Sequence, residues 1–569
     1  MVPFVKGESG ARPRASVRNL LILGTLALFA ARVILSLIRT GPVLVADEMG
    51  YLANARAIAG GIGGQMELAP FYRGGYSLLI VPLINLSSDP SVVYHLVLVL
   101  NAALAASVFP LLYLLLTRFA AVPAKIAIWA ALAGAVYPAV TVLSQAAMSE
   151  NALFPLACVW LLAFGGLLAA RDRRRELLWG AALGASAGAL WAVHNRMIVA
   201  VAIAVVGLIW LTVRRRLHPA ASALALAIIA LAFLGAHLLD DFLIAHKYGG
   251  SATDELSQRT NELLRFGSLR TALANLVGQS WYLLVATFGL AAAAVADFVL
   301  RARRARDSHE ERPPPVLGIL LALTALLLLI SASAFSERTR PDMLIYGRYT
   351  EVVAPALVAF GLAAPARARL TRPLAWPLLG FALLTGAVAL IRATASEPDA
   401  ANRWNVSALP FVTVQLGPGI LVGAAIVALA GAWLLVRASA LGPRALGSLA
   451  IALFLAVVAY GAWNPVRSSE RAVYPSGWTS PQAVAHAEGA DAIAYDLDHY
   501  DTIGLYAFQW FLPDSRLTLF HGNSQRPASR YVLSGGSWAR EHPGSGAKEI
   551  WSAVGRDQVL WRLARLHAQ

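Results

Sequence analysis

Runs of roughly twenty apolar residues recur along most of this 569-residue chain, and they leave the backbone few options. A hydrocarbon core about 30 Å thick offers no water to unpaired N–H and C=O groups, so such runs cross it as helices. With 58% hydrophobic and 14% charged residues, the chain is not an ordinary soluble enzyme. Its mean hydropathy is +0.61. The runs predict a polytopic α-helical membrane protein of about thirteen transmembrane helices. They lie at 19–39, 91–117, 124–143, 151–170, 177–193, 197–213, 219–239, 276–300, 315–333, 346–364, 373–391, 413–436 and 446–463.

The net charge of +15 could suggest nucleic acid as a partner. The basic residues instead stand in short clusters between apolar runs, as membrane topology requires, so no nucleic-acid partner is expected. RPRASVR, RDRRRE, Arg214–Arg216, RARRARDSHEER and ARARLTR all fall on one side if residues 1–18 lie inside. The positive-inside rule then puts the N-terminus in the cytoplasm and the C-terminal region outside. The first apolar run is too long for a cleaved signal and reads as an uncleaved span. Cys158, the single cysteine, reads as a small core residue without a disulfide partner. The Ala- and Arg-rich composition points to a high-GC bacterium, and the expected location is a bacterial plasma membrane.

On this topology the membrane domain covers 19–463 and has two long outward loops, 40–90 and 240–271. The first contains a short apolar segment, 76–86, too short to cross and suited to an interfacial helix. Beyond Trp463 the pieces DAIAYDL, IGLYAFQWFL, RLTLFHG, SRYVLSGG and DQVLWRL alternate strand-like and helix-like patterns. Residues 464–569 therefore predict a small extracytoplasmic α/β domain.

The polar residues at outward span ends are the candidates for chemistry. Asp47 and Glu48, in VLVADEMGYLANAR, are adjacent carboxylates at the mouth of a span, with Tyr51 and Arg56 following at helical spacing. Such acids are costly to dehydrate and belong in a wet cavity, where one could accept a proton from a hydroxyl; helix capping is the structural alternative. Ser149-Glu150 opens the fourth run, either as a helix start or with Glu150 lining the same cavity. His194-Asn195-Arg196 fills a tight outward turn, and Arg32 is embedded in the first run. Cations so placed commonly face an interior cavity and meet an anion. Arg348, in YGRYTE with Tyr349 beside it, opens another run where a guanidinium fork would bind phosphate oxygens; snorkelling is its alternative. Arg338 and Arg340 lie just upstream. Asp240-Asp241 and Asp496-Leu-Asp498 are paired acids of a kind common in loops and are not read as metal ligands, and the glycines of 60–64 lack the Lys and Ser or Thr of a phosphate loop.

The order of these features resembles the GT-C membrane glycosyltransferases, nearest to the protein mannosyltransferase and aminoarabinose transferase branch. The elements are ADEMGYLANAR after a first span, FYRGGYSLLIVPL with Arg73 entering the interfacial helix, Ser-Glu opening a later span, and YGRYTEVVAP. The resemblance covers 19 to about 365 and implies a donor sugar on a polyprenyl phosphate, reaching an outward site through the membrane. It maps the general base to Asp47, with Glu48 able to share or replace it, and the donor phosphate to Arg348, Arg196 and Tyr349. Tyr51, Arg56, Arg73, Glu150 and His194 would line the cavity. Transfer in one displacement would invert the anomeric centre. The acceptor would be an outer-face lipid, polysaccharide or protein, although the tryptophan-rich acceptor motif of oligosaccharyltransferases is absent. Some relatives use a divalent cation, for which the sequence assigns no ligands. The rival expectation is a transporter or flippase of a lipid-linked saccharide, with the acids and arginines forming a binding route.

Overall fold

The computed structural model describes residues 15–39, 41–62, 71–247, 269–307, 312–335, 340–364, 375–394, 403–413, 416–473, 484–486, 488–499, 502–552 and 557–564. The expectations for Arg338 and for most of the 240–271 loop lie outside them. Among the described residues, nine helices are long and apolar enough to cross a bilayer. They correspond to nine of the predicted spans, and the chain is a multi-pass membrane protein. The first, Ser16–Ser36, stands at the periphery with Leu20, Leu23, Leu26 and Ile34 exposed, the faces a lipid tail would cover.

The other four predicted spans are interrupted or short, and the sequence supplies the reason for each interruption. The 124–143 run folds as Ala124–Ala135 and Pro138–Leu143, because Pro138 has no N–H for a continuing helix. The 276–300 run folds as Leu269–Ala286 and Leu290–Asp307, bent by 100°. Its corner, Phe288 and Gly289, takes φ of +48° and +76°. A left-handed corner is natural for the glycine and strained for the phenylalanine. The 346–364 run is split into Arg348–Glu351 and Ala354–Ala363, with Pro355 at the start of the second helix. In the 373–391 run the apolar helix is Leu379–Ala393.

Arg32 answers one of these interruptions. Its side chain is buried, and Nη2 donates to Ala135 O at 2.7 Å and to Thr141 Oγ1 at 3.4 Å. The expected anion is thus a carbonyl at a helix C-terminus, which carries partial negative charge.

Helix contacts in the membrane domain are close where glycine permits them. A Cβ on Gly361 would stand 1.9 Å from Leu290 O, and one on Gly278 would stand 2.0 Å from Leu344 O. Small residues let backbones approach within lipid, where no hydrophobic force between helices does the same.

The predicted α/β domain forms a five-stranded sheet of order β2-β1-β3-β5-β4, from β1 (Ala492–Asp496), β2 (Arg516–Phe520), β3 (Tyr531–Ser534), β4 (Lys548–Ser552) and β5 (Val559–Arg562). β1 runs parallel to β2 and β3, while β5 is antiparallel to β3 and β4. The IGLYAFQWFL piece lies in the crossover helix Thr502–Phe511 between β1 and β2. The last membrane-domain helix runs on in its backbone to Val473.

Replacing Gly361 by alanine should lower the thermal midpoint in detergent, since overpacking of this kind costs about 1–3 kcal/mol. A midpoint equal to wild type would contradict the close approach to Leu290.

Candidate active site

The helix Ala46–Ile58 carries Asp47 and Glu48 in its first turn, where carboxylates suit the positive end of the helix dipole. Successive helix positions diverge by about 100°, so the two acids part company at once. Glu48 is fully buried, and its Oε1 accepts from Tyr94 Oη at 2.8 Å and from Ala147 N at 2.7 Å. Oε2 accepts from Val43 N. Burial raises the Glu48 pKa above the usual carboxylate value, and these donors oppose the rise. Glu48 thereby ties its helix to Pro90–Phe119 and to the turn before Glu150.

Asp47 turns the other way, and its Oδ2 pairs with Nη1 of Arg348. The rest of that guanidinium forks onto Glu150: Nε meets Oε1 and Nη2 meets Oε2, both at 3.0 Å. Arg196 Nη2 donates to the same Oε1 at 2.8 Å. Two carboxylates and two guanidiniums from four separate stretches form one neutral cluster. Glu150 and Arg196 side chains are 0% exposed and Arg348 6%, whereas Asp47 is 30% exposed, so Asp47 is its open member. Among the described residues, Nε and Nη1 of Arg196 have no hydrogen-bond partner. Its guanidinium lies 4.8 Å from the Tyr349 ring centroid, and His194 meets that ring edge-on at 6.0 Å. His194 Nδ1 also accepts the Arg196 backbone N–H at 3.3 Å.

The backbone beneath Arg348 is anchored from the 403–413 segment. Gly347 N donates to Asn405 O at 2.7 Å, while Asn405 Nδ2 and Arg340 hold Asp342. Glu351 accepts from Tyr282 Oη and from Ala408 N. Gly347 admits no side chain here, because a Cβ would lie 2.0 Å from the Tyr282 ring.

Asp47, Glu150, Arg196 and Arg348 are thus brought together, with Tyr349 and His194 against them. Tyr51 is buried on the same helix as Asp47, edge-on to Tyr72 at 5.5 Å and Tyr76 at 5.4 Å. Arg73 and Arg56 are engaged elsewhere. Arg73 Nη2 meets Asp240 Oδ2 at 2.6 Å and its guanidinium sits 3.3 Å over Trp191. Burial lowers the Arg73 pKa and Asp240 opposes that. Arg56 bonds carbonyls of the C-terminal domain, with Nη1 on Gln509 O and Nη2 on Trp510 O, both at 2.7 Å. Burial brings its pKa down to about 9, against the pull of Asp514, which leaves it charged at neutral pH.

Sequence reasoning missed Tyr72 and Tyr506. Burial first, then the Asp47 charge, raises both hydroxyls, Tyr506 to about 12. Tyr506 belongs to the C-terminal domain, and nothing in IGLYAFQWFL marks one aromatic as facing a site 459 positions away, since 506 − 47 = 459.

Among the described residues, no group of three or more His, Cys, Asp or Glu could hold a metal ion. Asp47 and Glu150 meet guanidiniums instead, so this donor set does not fit a divalent cation.

Glu150→Ala should destabilise the folded protein more than Asp47→Ala. It strands two buried guanidiniums, at about 3–5 kcal/mol for a broken buried pair, whereas Asp47 is partly solvated. Thermal unfolding of the two variants in one detergent checks the order.

No protein-family model and no curated protein sequence matches the chain. Solved structures do. ArnT from Cupriavidus metallidurans bound to undecaprenyl phosphate aligns over 96% of this chain and 98% of its own, at 15% identity and TM-score 0.54. The apo state of the same protein aligns over the same shares at 16% identity and TM-score 0.55. The arabinosyltransferase EmbB from Mycobacterium smegmatis aligns over 84% of this chain and 44% of its own, at 14% identity and TM-score 0.41. Over 96% of its length, the chain shares the fold of the ArnT structures.

Proposed function

We propose that the protein is a membrane glycosyltransferase that moves a sugar from a polyprenyl-phosphate carrier to a hydroxyl acceptor at the outer face of a bacterial plasma membrane. One observation carries this reading. Asp47, the open carboxylate of a neutral ionic cluster, shares Arg348 with Glu150 beside Arg196, two of whose N–H groups have no hydrogen-bond partner among the described residues. A base and an anion site therefore adjoin. Undecaprenyl phosphate in one of the ArnT structures, which share this fold, supports the choice of donor.

The chemistry balances within the cluster. The acceptor hydroxyl gives its proton to Asp47 as its oxygen bonds the anomeric carbon, and the bond from that carbon to the phosphate oxygen breaks with its electron pair on phosphate. Attack opposite the leaving phosphate inverts the centre. The phosphate gains one negative charge as Asp47 loses one, so the total does not change in a region where an added charge is costly. Arg348, released by the neutralised Asp47, turns its Nη1 to the developing phosphate dianion, and Arg196 supplies further donors. Glu150 keeps both guanidiniums in register.

Liposomes containing the protein, given undecaprenyl-phosphate-linked sugars and an envelope glycan extract, test the reading. Asp47→Asn should cut transfer about 10²–10⁴-fold, the usual range for a lost general base, with normal folding. Arg348→Lys should cut it about 10²–10³-fold, the range for one lost stabilising donor. Donor lipid left intact by wild type and moved across the bilayer would establish the flippase instead.

A further inference from the structure

Arg56 is a buried cation whose fork meets backbone carbonyls. Gln509 and Trp510 lie in the last turn of Thr502–Phe511, where the final four carbonyls have no N–H partner within the helix. A guanidinium there satisfies two of them and complements the negative end of the helix dipole. The same guanidinium sits 4.1 Å from the Trp510 ring centroid. Trp510 meets Tyr94 edge-on at 6.2 Å, and the Tyr94 hydroxyl donates to Glu48, the neighbour of Asp47. The C-terminal domain is therefore joined to both ends of the helix that carries the base. Leu505, Tyr506, Phe508, Trp510 and Phe511 are buried in one core with Met49, Tyr51 and Leu52 of that helix. Tyr506 precedes Trp510 by one turn, on the same side of its helix, and stands within electrostatic reach of Asp47.

We infer that Arg56 is a positioning residue that clamps Thr502–Phe511 against Ala46–Ile58, so that the C-terminal domain forms the acceptor-side wall beside Asp47. The inference rests on the glycosyltransferase reading. The phosphate-facing groups of that reading, Arg196 and Arg348, hydrogen-bond Glu150, whereas Arg56 hydrogen-bonds Gln509 and Trp510. Loosening the clamp therefore acts on the acceptor and spares the donor lipid.

The test uses the full chain in nanodiscs, as wild type, Arg56→Gln and Arg56→Lys. Three readouts are taken: hydrogen exchange of residues 502–511, binding of undecaprenyl phosphate, and transfer rate against the concentration of an envelope glycan extract. Arg56→Gln should exchange about tenfold faster or more over 502–511, because two charge-assisted bonds are lost. Its acceptor KM should rise about tenfold with kcat within about threefold, and its undecaprenyl phosphate Kd should stay within about twofold. Arg56→Lys keeps the charge but reaches one carbonyl at a time, so it should fall between the two and keeps the test usable if the glutamine variant does not fold. Unchanged exchange overturns the clamp. A fall in kcat at constant KM, or a parallel loss of undecaprenyl phosphate binding, overturns the acceptor-side assignment. A wild type that binds undecaprenyl phosphate but transfers no sugar refutes the parent reading and the acceptor claim with it, while the exchange comparison judges the clamp separately.

Discussion

The site depends on one carboxylate that solvent does not reach. Glu150 begins a membrane-spanning helix, is completely enclosed, and holds two guanidiniums drawn from 46 and 198 positions away. Transferring any one of these ions alone from water to such surroundings would cost several kcal/mol, and only the assembled set is tolerable. Assembly therefore happens as a unit. Arg348 has its fork filled on one side by Glu150, which leaves Nη1 as the arm that reaches Asp47, and Asp47 is the member that meets water. The division between a sealed acid, Glu150, and an open one, Asp47, arises from packing, since the two residue types are nearly the same.

How much of this could be read from the chain differs by element. Nine spans were legible because hydropathy and length report on bilayer crossing directly. The breaks were not, because an averaged run does not register Pro138 or the positive φ of Phe288 and Gly289. The convergence of Asp47, Glu150, Arg196 and Arg348 was foreshadowed by topology, as all four stand at span ends assigned to one side. Their pairing was not, for spacing carries no record of which cation meets which anion. Arg56, Arg73 and Arg196 look alike as embedded arginines, yet they meet helix carbonyls, Asp240 and Glu150 respectively. Glu48 and Asp47 look interchangeable, and a single step around the helix sends one to Tyr94 and the other to Arg348.

Interrupted helices also define what surrounds the cluster. Arg348 lies on the four-residue helix Arg348–Glu351 and Arg196 in the three-residue turn Asn195–Met197. Such irregular backbone survives at membrane depth only when protein groups satisfy it. Asn405 does this for the Arg348 segment by accepting the Gly347 N–H, while Tyr282 and Ala408 hold the Glu351 carboxylate and Asn405 that of Asp342. The 403–413 segment, which lies before the predicted 413–436 span, is the scaffold of the Arg348 stretch.

Among the described residues, the sheet of the C-terminal domain ends at β2 on one side and at β4 on the other, and no strand lies outside β4. That edge carries exposed Lys548 and Glu549, and its register with β5 slips between Glu549 and Trp551. A strand arriving from another molecule would meet charge and a kinked ladder rather than a straight row of open amides and carbonyls. Crowded at a membrane surface, neighbouring copies are thus hindered from zipping together through the β4 edge.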